Sequence, residues 1–265
     1  MRFWPLQSIG FPLRRNPQIF LLLAALGGML AKPVLAGQVA IIIDDIGYRH
    51  TDSKVLSLPA SVTLSILPHT KIGSDIATQA HHNGHDIMVH LPMQALNGKA
   101  LGLGGLTNHM DEEQIRRSIK ASVGSVPHAI GVNNHMGSLL TQLAEPMTWL
   151  MQELKQHDLF FVDSNTTRFS KAAQKAEQQG IPLLTRQIFL DNQLDNASLE
   201  RQFKHLMQLS HSQGYAVMIA HPHPETVRFL RNNLQRLESE GISLVPVSSL
   251  LPYKLALTQQ DKPSS

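Results

Sequence analysis

The sequence predicts an α/β protein, a single distorted (β/α) barrel of about seven to eight parallel strands. Two observations carry that expectation. Short apolar runs alternate with longer amphipathic ones almost without exception, and glycines and an Asp cap punctuate the helical stretches where helix ends need them. About eight strands alternating with seven helices in one uninterrupted stretch favour a closed or nearly closed parallel sheet, with a doubly wound sheet as the alternative.

In chain order, strands are expected at Gln38–Ile43, Val62–Leu67, Asp86–His90, Ala129–Val132, Leu159–Asp163, Leu183–Leu190, Tyr215–Ala220 and Ile242–Val247. Helices are expected at Asp52–Leu58, Gly73–Asn83, Asp111–Ser122, Glu145–His157, Ser170–Gln179, Asn196–Gln213 and Glu225–Glu240. Asp111 is placed to cap the helix that follows it, and Gly84, Gly180, Gly214 and Gly241 fall just past helical stretches, where a left-handed residue is wanted. The Gly-rich segment Asn97–Leu106 reads as a long loop able to shape or cover a pocket.

Composition removes several chemistries. The 265 residues are 42% hydrophobic and 16% charged, enough apolar surface for a folded core. Cysteine is absent, which excludes disulfide frameworks, thiolate zinc sites, iron–sulfur clusters and cysteine nucleophiles. Fourteen histidines point instead to imidazole as metal ligand and proton carrier.

Residues 1–36 read as a cleavable signal peptide. Arg2, Arg14 and Arg15 precede the apolar run Ile19–Ala31, and Val34 and Ala36 stand at the small positions of a cleavage site before Gly37. The run is shorter than the roughly 20 residues of a membrane span. Export to the periplasm is therefore expected, with an uncleaved signal anchor as the alternative and no stable span after cleavage. A barrel domain is expected over residues 37–258 and a polar tail over 259–265. The leader holds Arg2, Arg14, Arg15 and Lys32 and no acid, so of 23 basic and 20 acidic residues it leaves 19 against 20. No Lys/Arg cluster is interleaved with aromatics, which argues against a nucleic-acid partner.

The polar residues fall at strand ends: Asp44-Asp45, Pro68-His69, His90, Asn133-Asn134-His135, Asp163-Ser164-Asn165, Asp191, His221-Pro222-His223 and Ser248-Ser249. In a parallel barrel all these ends share one face, the face that holds active sites. Taken singly, Asp44-Asp45 reads equally well as a turn and helix cap, and His90 as a hydrogen-bonded boundary residue. Their convergence is what points to chemistry. His69, His81, His82, His109 and His157 sit in loops or on polar helix faces and are left out of the site. The chain has no H-E-x-x-H, no G-x-S-x-G, no Walker loop and no strand-borne G-x-G-x-x-G. Carboxylate plus imidazole at strand ends fits a divalent metal site of zinc type with room for a water.

Five ordered segments then carry a resemblance. Ile41-Ile42-Ile43-Asp44-Asp45-Ile46-Gly47, His90-Leu91-Pro92-Met93-Gln94, Gly131-Val132-Asn133-Asn134-His135-Met136-Gly137-Ser138, Phe161-Val162-Asp163-Ser164 and His221-Pro222-His223-Pro224-Glu225-Thr226 resemble the divergent polysaccharide deacetylase family. They span nearly the whole chain after the leader. The wider superfamily is a distorted βα barrel that removes N- or O-acetyl groups from polysaccharides with the help of a metal ion. The resemblance implies Asp44 as general base, Asp45 and His90 as metal ligands and His221 as the acid that protonates the leaving group. Gln94 stands where the superfamily has its second ligand histidine, and the usual Arg-x-Pro motif is replaced by Asn133-Asn134-His135, so His135 is inferred as the third ligand. Asn133, Asn134, Asp163 and His223 are expected to orient those groups or bind sugar hydroxyls.

The function expected is thus a zinc-type carbohydrate deacetylase acting on an acetylated envelope glycan such as peptidoglycan. The alternatives are an inactive deacetylase-fold module that binds glycan or cell-wall remodelling proteins, and a metal-dependent hydrolase of another amide or ester.

Overall fold

The apolar run that starts at Gln38 forms β1 (Gln38–Ile46), in which Val39–Asp44 and Ile46 are buried and Asp45 is half-buried. The structure, a computed structural model, describes Met1 and residues 37–252. The expected signal peptide, the last residues of the expected domain and the polar tail lie outside the described residues. No helix among the described residues is long and apolar enough to cross a membrane.

After β1 come a 3-10 segment (His50–Ser57), β2 (Thr63–Ile66), α1 (Lys71–His82), β3 (Ile87–Met93), α2 (Glu112–Gly124), β4 (Ala129–Met136), a 3-10 turn (Leu140–Gln142) and α3 (Ala144–Gln156). The chain continues through β5 (Phe160–Asp163), α4 (Ala172–Gln179), β6 (Leu183–Thr185), β7 (Ile188–Phe189), α5 (Asn196–Gln213), β8 (Tyr215–Ala220), α6 (Pro224–Asn233), α7 (Gln235–Ser239) and β9 (Ser243–Leu244). All strand pairings are parallel, in the order β6-β5-β4-β3-β2-β1-β8-β7, with β9 also on β1. The curled, barrel-like α/β fold expected from the alternation is the one found.

The helix caps follow the sequence. Asp111 accepts from the Gln114 backbone N–H at 2.8 Å while the Gln114 side chain accepts from the Asp111 N–H at 3.0 Å, a reciprocal pair that starts α2. Gly180 and Gly214 end α4 and α5 in the left-handed conformation.

Two expected elements divide. Leu183–Leu190 is not one strand: β6 pairs with β5 and β7 with β8, at opposite ends of the sheet path. The link between them closes the curl, because the Arg186 N–H donates to Asp163 O and the Gln187 N–H to Val217 O, both at 2.9 Å. The expected helix Glu225–Glu240 breaks at Leu234 into α6 and α7. The expected helix Asp52–Leu58 is the 3-10 segment, held to the chain before it because Asp52 Oδ2 accepts from the N–H groups of Gly47 and Arg49, each at 3.0 Å.

Strand alternation separates two apolar layers. Val39, Ile41, Ile43, Leu64, Val89 and Val132 join the large cluster shared with the helices, whereas Ala40, Ile42, Met88, Val162, Val217 and Ile219 form a smaller inner cluster. Continued by steps of two toward the C-terminal ends, the inner row reaches Asp44, His90 and His221.

Candidate metal centre

β1 and β4 run past their apolar stretches and carry polar residues onto buried strand. On a regular strand Asp44 and Asp45 would point to opposite faces. Here the β1–β2 register shifts between Ile43 and Ile46, and Asp45 sits at φ 58°. That left-handed conformation is costly for a non-glycine residue, and it brings both carboxylates to His90, at 3.6 Å from Asp44 Oδ2 to Nδ1 and 3.0 Å from Asp45 Oδ1 to Nε2.

Asp45 Oδ1, His90 Nε2 and His135 Nδ1 form a triangle, with edges of 3.0 Å (Asp45–His90), 2.8 Å (Asp45–His135) and 3.1 Å (His90–His135). Asn133 fixes which nitrogen of His90 faces this triangle. The Asn133 amide donates to Asp44 Oδ1 at 2.8 Å and Oδ2 at 3.0 Å. Its carbonyl oxygen therefore faces His90 Nδ1 at 2.8 Å and accepts from Ser65 Oγ at 2.6 Å. His90 thus carries a hydrogen on Nδ1 and turns Nε2 to the triangle, as a ligand histidine requires.

These residues fit a divalent ion. Asp45 Oδ1 is buried and has no hydrogen-bond partner, although two imidazole nitrogens lie within 3.0 Å of it. The electrostatics favour positive charge at that point. Burial opposes a charged His90, yet Asp44 and Asp45 hold its pKa above the ordinary value. Burial likewise opposes a charged Asp45, but His135 and His90 hold its carboxyl well below the usual range. One carboxylate and two imidazoles are a known type of donor set for zinc.

Asp44 and His221 flank the triangle, and both hold a proton more tightly than the free side chains do. Burial pushes the Asp44 carboxyl up, against the pull of His90, His221 and Asn133. Burial disfavours the charged His221 ring, but Asp191 outweighs it, with help from Asp44 and Asp45, and the pKa is pushed up to about 9. Asp191 Oδ1 is 2.8 Å from His221 Nδ1, and its Oδ2 accepts from the His221 N–H at 2.7 Å and from Thr226 Oγ1 at 2.8 Å. His221 Nε2 then faces Asp45 Oδ2 at 3.9 Å.

The other expected residues lie apart from the triangle. Asn134 and Asp163 have the opposite strand parity. Asn134 Oδ1 accepts from the Ser164 N–H at 2.9 Å, and Asp163 Oδ1 accepts from the Asn165 N–H at 2.8 Å, so both shape the β4 and β5 exits. His223 is the N-cap of α6, and it groups with Asp191 and His221. Gln94 faces away, its Oε1 accepting from the Asn108 N–H at 2.7 Å and pinning the Gly-rich loop. The sequence reading gave no role to Asp191, which ends an apolar run as the other site residues do, or to Arg186, which sits in the link between β6 and β7.

A family model described as divergent polysaccharide deacetylase matches residues 41–251. The chain belongs to the divergent polysaccharide deacetylase family. Among its relatives, an uncharacterized protein of Escherichia coli (strain K12), YibQ, is 39% identical over 242 residues, covering 91% of this chain and 74% of that protein. An uncharacterized protein of Haemophilus influenzae is 36% identical over 214 residues, covering 80% and 76%. The crystal structure of the uncharacterized protein ATU2773 from Agrobacterium tumefaciens C58 shares the fold with a TM-score of 0.78 at 22% identity, covering 81% of this chain and 89% of that one. In this fold the Asp44-Asp45 pair of β1 meets His90 of β3, His135 of β4 and His221, which follows β8.

Proposed function

We propose that this protein is an exported, metal-dependent hydrolase that removes acetyl groups from an envelope polysaccharide of peptidoglycan type. One observation carries the reading: a carboxyl of raised pKa and an imidazolium stand beside the same ligand set, Asp44 at 3.6 Å from His90 and His221 at 3.9 Å from Asp45.

Asp45, His90 and His135 would hold the ion. A divalent ion there supplies Lewis acidity toward the acyl oxygen and makes water easier to deprotonate. The protein's residues do the rest. Asp44, oriented through both oxygens by Asn133, takes a proton from the attacking water as its oxygen bonds to the acyl carbon. His221, with Nδ1 held by Asp191, gives its Nε2 proton to the departing nitrogen or oxygen as the C–N or C–O bond breaks. Acetic acid, which then ionises in solvent, and the free amine or hydroxyl leave, with one water proton moved to Asp44, the other kept by the acid product and one proton given by His221. The acid–base pair favours chemistry over a binding-only module.

The test is acetate release by the zinc-loaded protein from a panel of N- and O-acetylated glycans. Release that falls about 100-fold or more in both Asp44→Asn and His221→Ala supports the reading. No release from any member, or release indifferent to both substitutions, rejects it. Export is tested separately, by whether the protein recovered from the periplasm begins at Gly37.

A further inference from the structure

Arg186 lies outside every role assigned above. It occupies the link that closes the curled sheet, and its guanidinium is held on three sides. Nε donates to Ser164 O at 2.6 Å and Nη2 to Asn165 O at 2.8 Å, so the side-on edge of the group is used on two successive carbonyls of the β5 exit. Its face stacks on Phe189, with Cζ 3.7 Å from the ring centroid. Phe189 in turn stacks on His221, centroids 6.0 Å apart at 24°. The guanidinium is therefore one aromatic ring away from the proposed acid.

What this group lacks is a carboxylate. Burial pulls its pKa below the ordinary value, only partly opposed by Asp163 and Asp44, and no acid among the described residues lies within ion-pair distance of Arg186, although Arg116, Arg117 and Arg236 each have such a partner. Nη1 has no hydrogen-bond partner among those residues. With the side-on edge used, the end-on fork of Nη1 and the second Nη2 hydrogen remains. Ser164, whose carbonyl holds Nε, also has a buried Oγ with no partner. A half-buried guanidinium locked by two carbonyls and a ring is preorganised for a planar anion and loses little freedom on binding it.

We infer that Arg186 is an anion-recognition residue of this site, and that the substrate is an acidic glycan carrying a carboxylate close to the acyl group that is removed. The inference rests on the glycan reading above and narrows it to anionic polymers. Phe189 sets the spacing between the bound carboxylate and His221.

The experiment compares two probes in calorimetric titration of the zinc-loaded full chain: an N-acetylated oligosaccharide bearing one carboxylate per disaccharide, and the same molecule with every carboxylate as its methyl ester. The expected result is that the acid binds about tenfold tighter or more than the ester. That ratio should collapse toward one in Arg186→Gln and recover only in part in Arg186→Lys, which restores the charge without the fork. The wild-type ratio is decisive even if the variants fold poorly. Equal binding of acid and ester, with acetate released from both, overturns the Arg186 inference and leaves the deacetylase reading standing. Binding of neither probe overturns both.

Discussion

Asn133 donates its amide to both oxygens of Asp44, at 2.8 and 3.0 Å, and so presents its carbonyl oxygen to His90 Nδ1 at 2.8 Å. One side chain thereby orients the proposed base and selects the ligand nitrogen of His90. Asn133→Ala is expected to weaken zinc affinity by about 10- to 100-fold and to lower turnover beyond that loss when zinc is saturating. Competition against a chromophoric chelator measures the first effect and acetate release at saturating zinc the second. Unchanged affinity would show that Asn133 does not set the orientation of His90.

The pH dependence of the metal-free fold follows from His221. Its pKa in the fold, about 9, exceeds the ordinary 6.5. The stabilisation it contributes is therefore fully present below about pH 6.5 and is lost as pH rises through about 9. Allowing for its partial exposure, the loss is about 2 kcal/mol. Urea midpoints of metal-free protein should fall between about pH 6 and pH 10, and His221→Asn should flatten that part of the decline. An equal decline in the variant would place its origin elsewhere.

Much of this was legible in the sequence because apolar runs mark buried strands and polar residues at their ends converge in a parallel barrel. That rule gathers Asp44, Asp45, His90, His135 and His221 among other strand-end residues, and the family resemblance is what singles these five out and implies their roles. The rule also misled, because it ended β1 at Ile43 and β4 at Val132, whereas both strands continue through residues whose polar side chains satisfy one another. Strand parity would have separated Asn133 from Asn134. The division of Leu183–Leu190 was hidden because two short strands on opposite edges of a sheet read locally as one, and the same blind spot concealed Arg186. The role of Asp191 depends on a partner 30 residues away, which no local pattern reports.

Gly47 follows β1 at φ 142°, and a Cβ there would collide with Thr70 Oγ1. Gly47→Ala combines a disfavoured backbone with that overlap and is expected to destabilise by about 2–3 kcal/mol. Chemical denaturation measures it. A loss below about 0.5 kcal/mol, within the range of neutral surface changes, would mean that the β1 exit can relax.

The family resemblance implies that Gln94 stands where a ligand histidine is expected; in the structure its Oε1 accepts from the Asn108 N–H. Gln94→Ala is expected to speed proteolysis and amide exchange in the loop around Gly98 while leaving zinc affinity within about twofold. A tenfold loss of zinc affinity would show that Gln94 serves the metal after all. Gln94→His tests the converse, and no gain in affinity is expected.

The central claim is that Asp45, His90 and His135 together hold a divalent ion, and calorimetric titration of chelator-treated full-length protein with zinc tests it most directly. The account predicts one equivalent bound by the wild type, with that binding abolished in His90→Ala and His135→Ala while both variants keep their fold by circular dichroism. A folded wild type that takes up no zinc or other divalent ion, or one-equivalent binding that survives both substitutions, would contradict it.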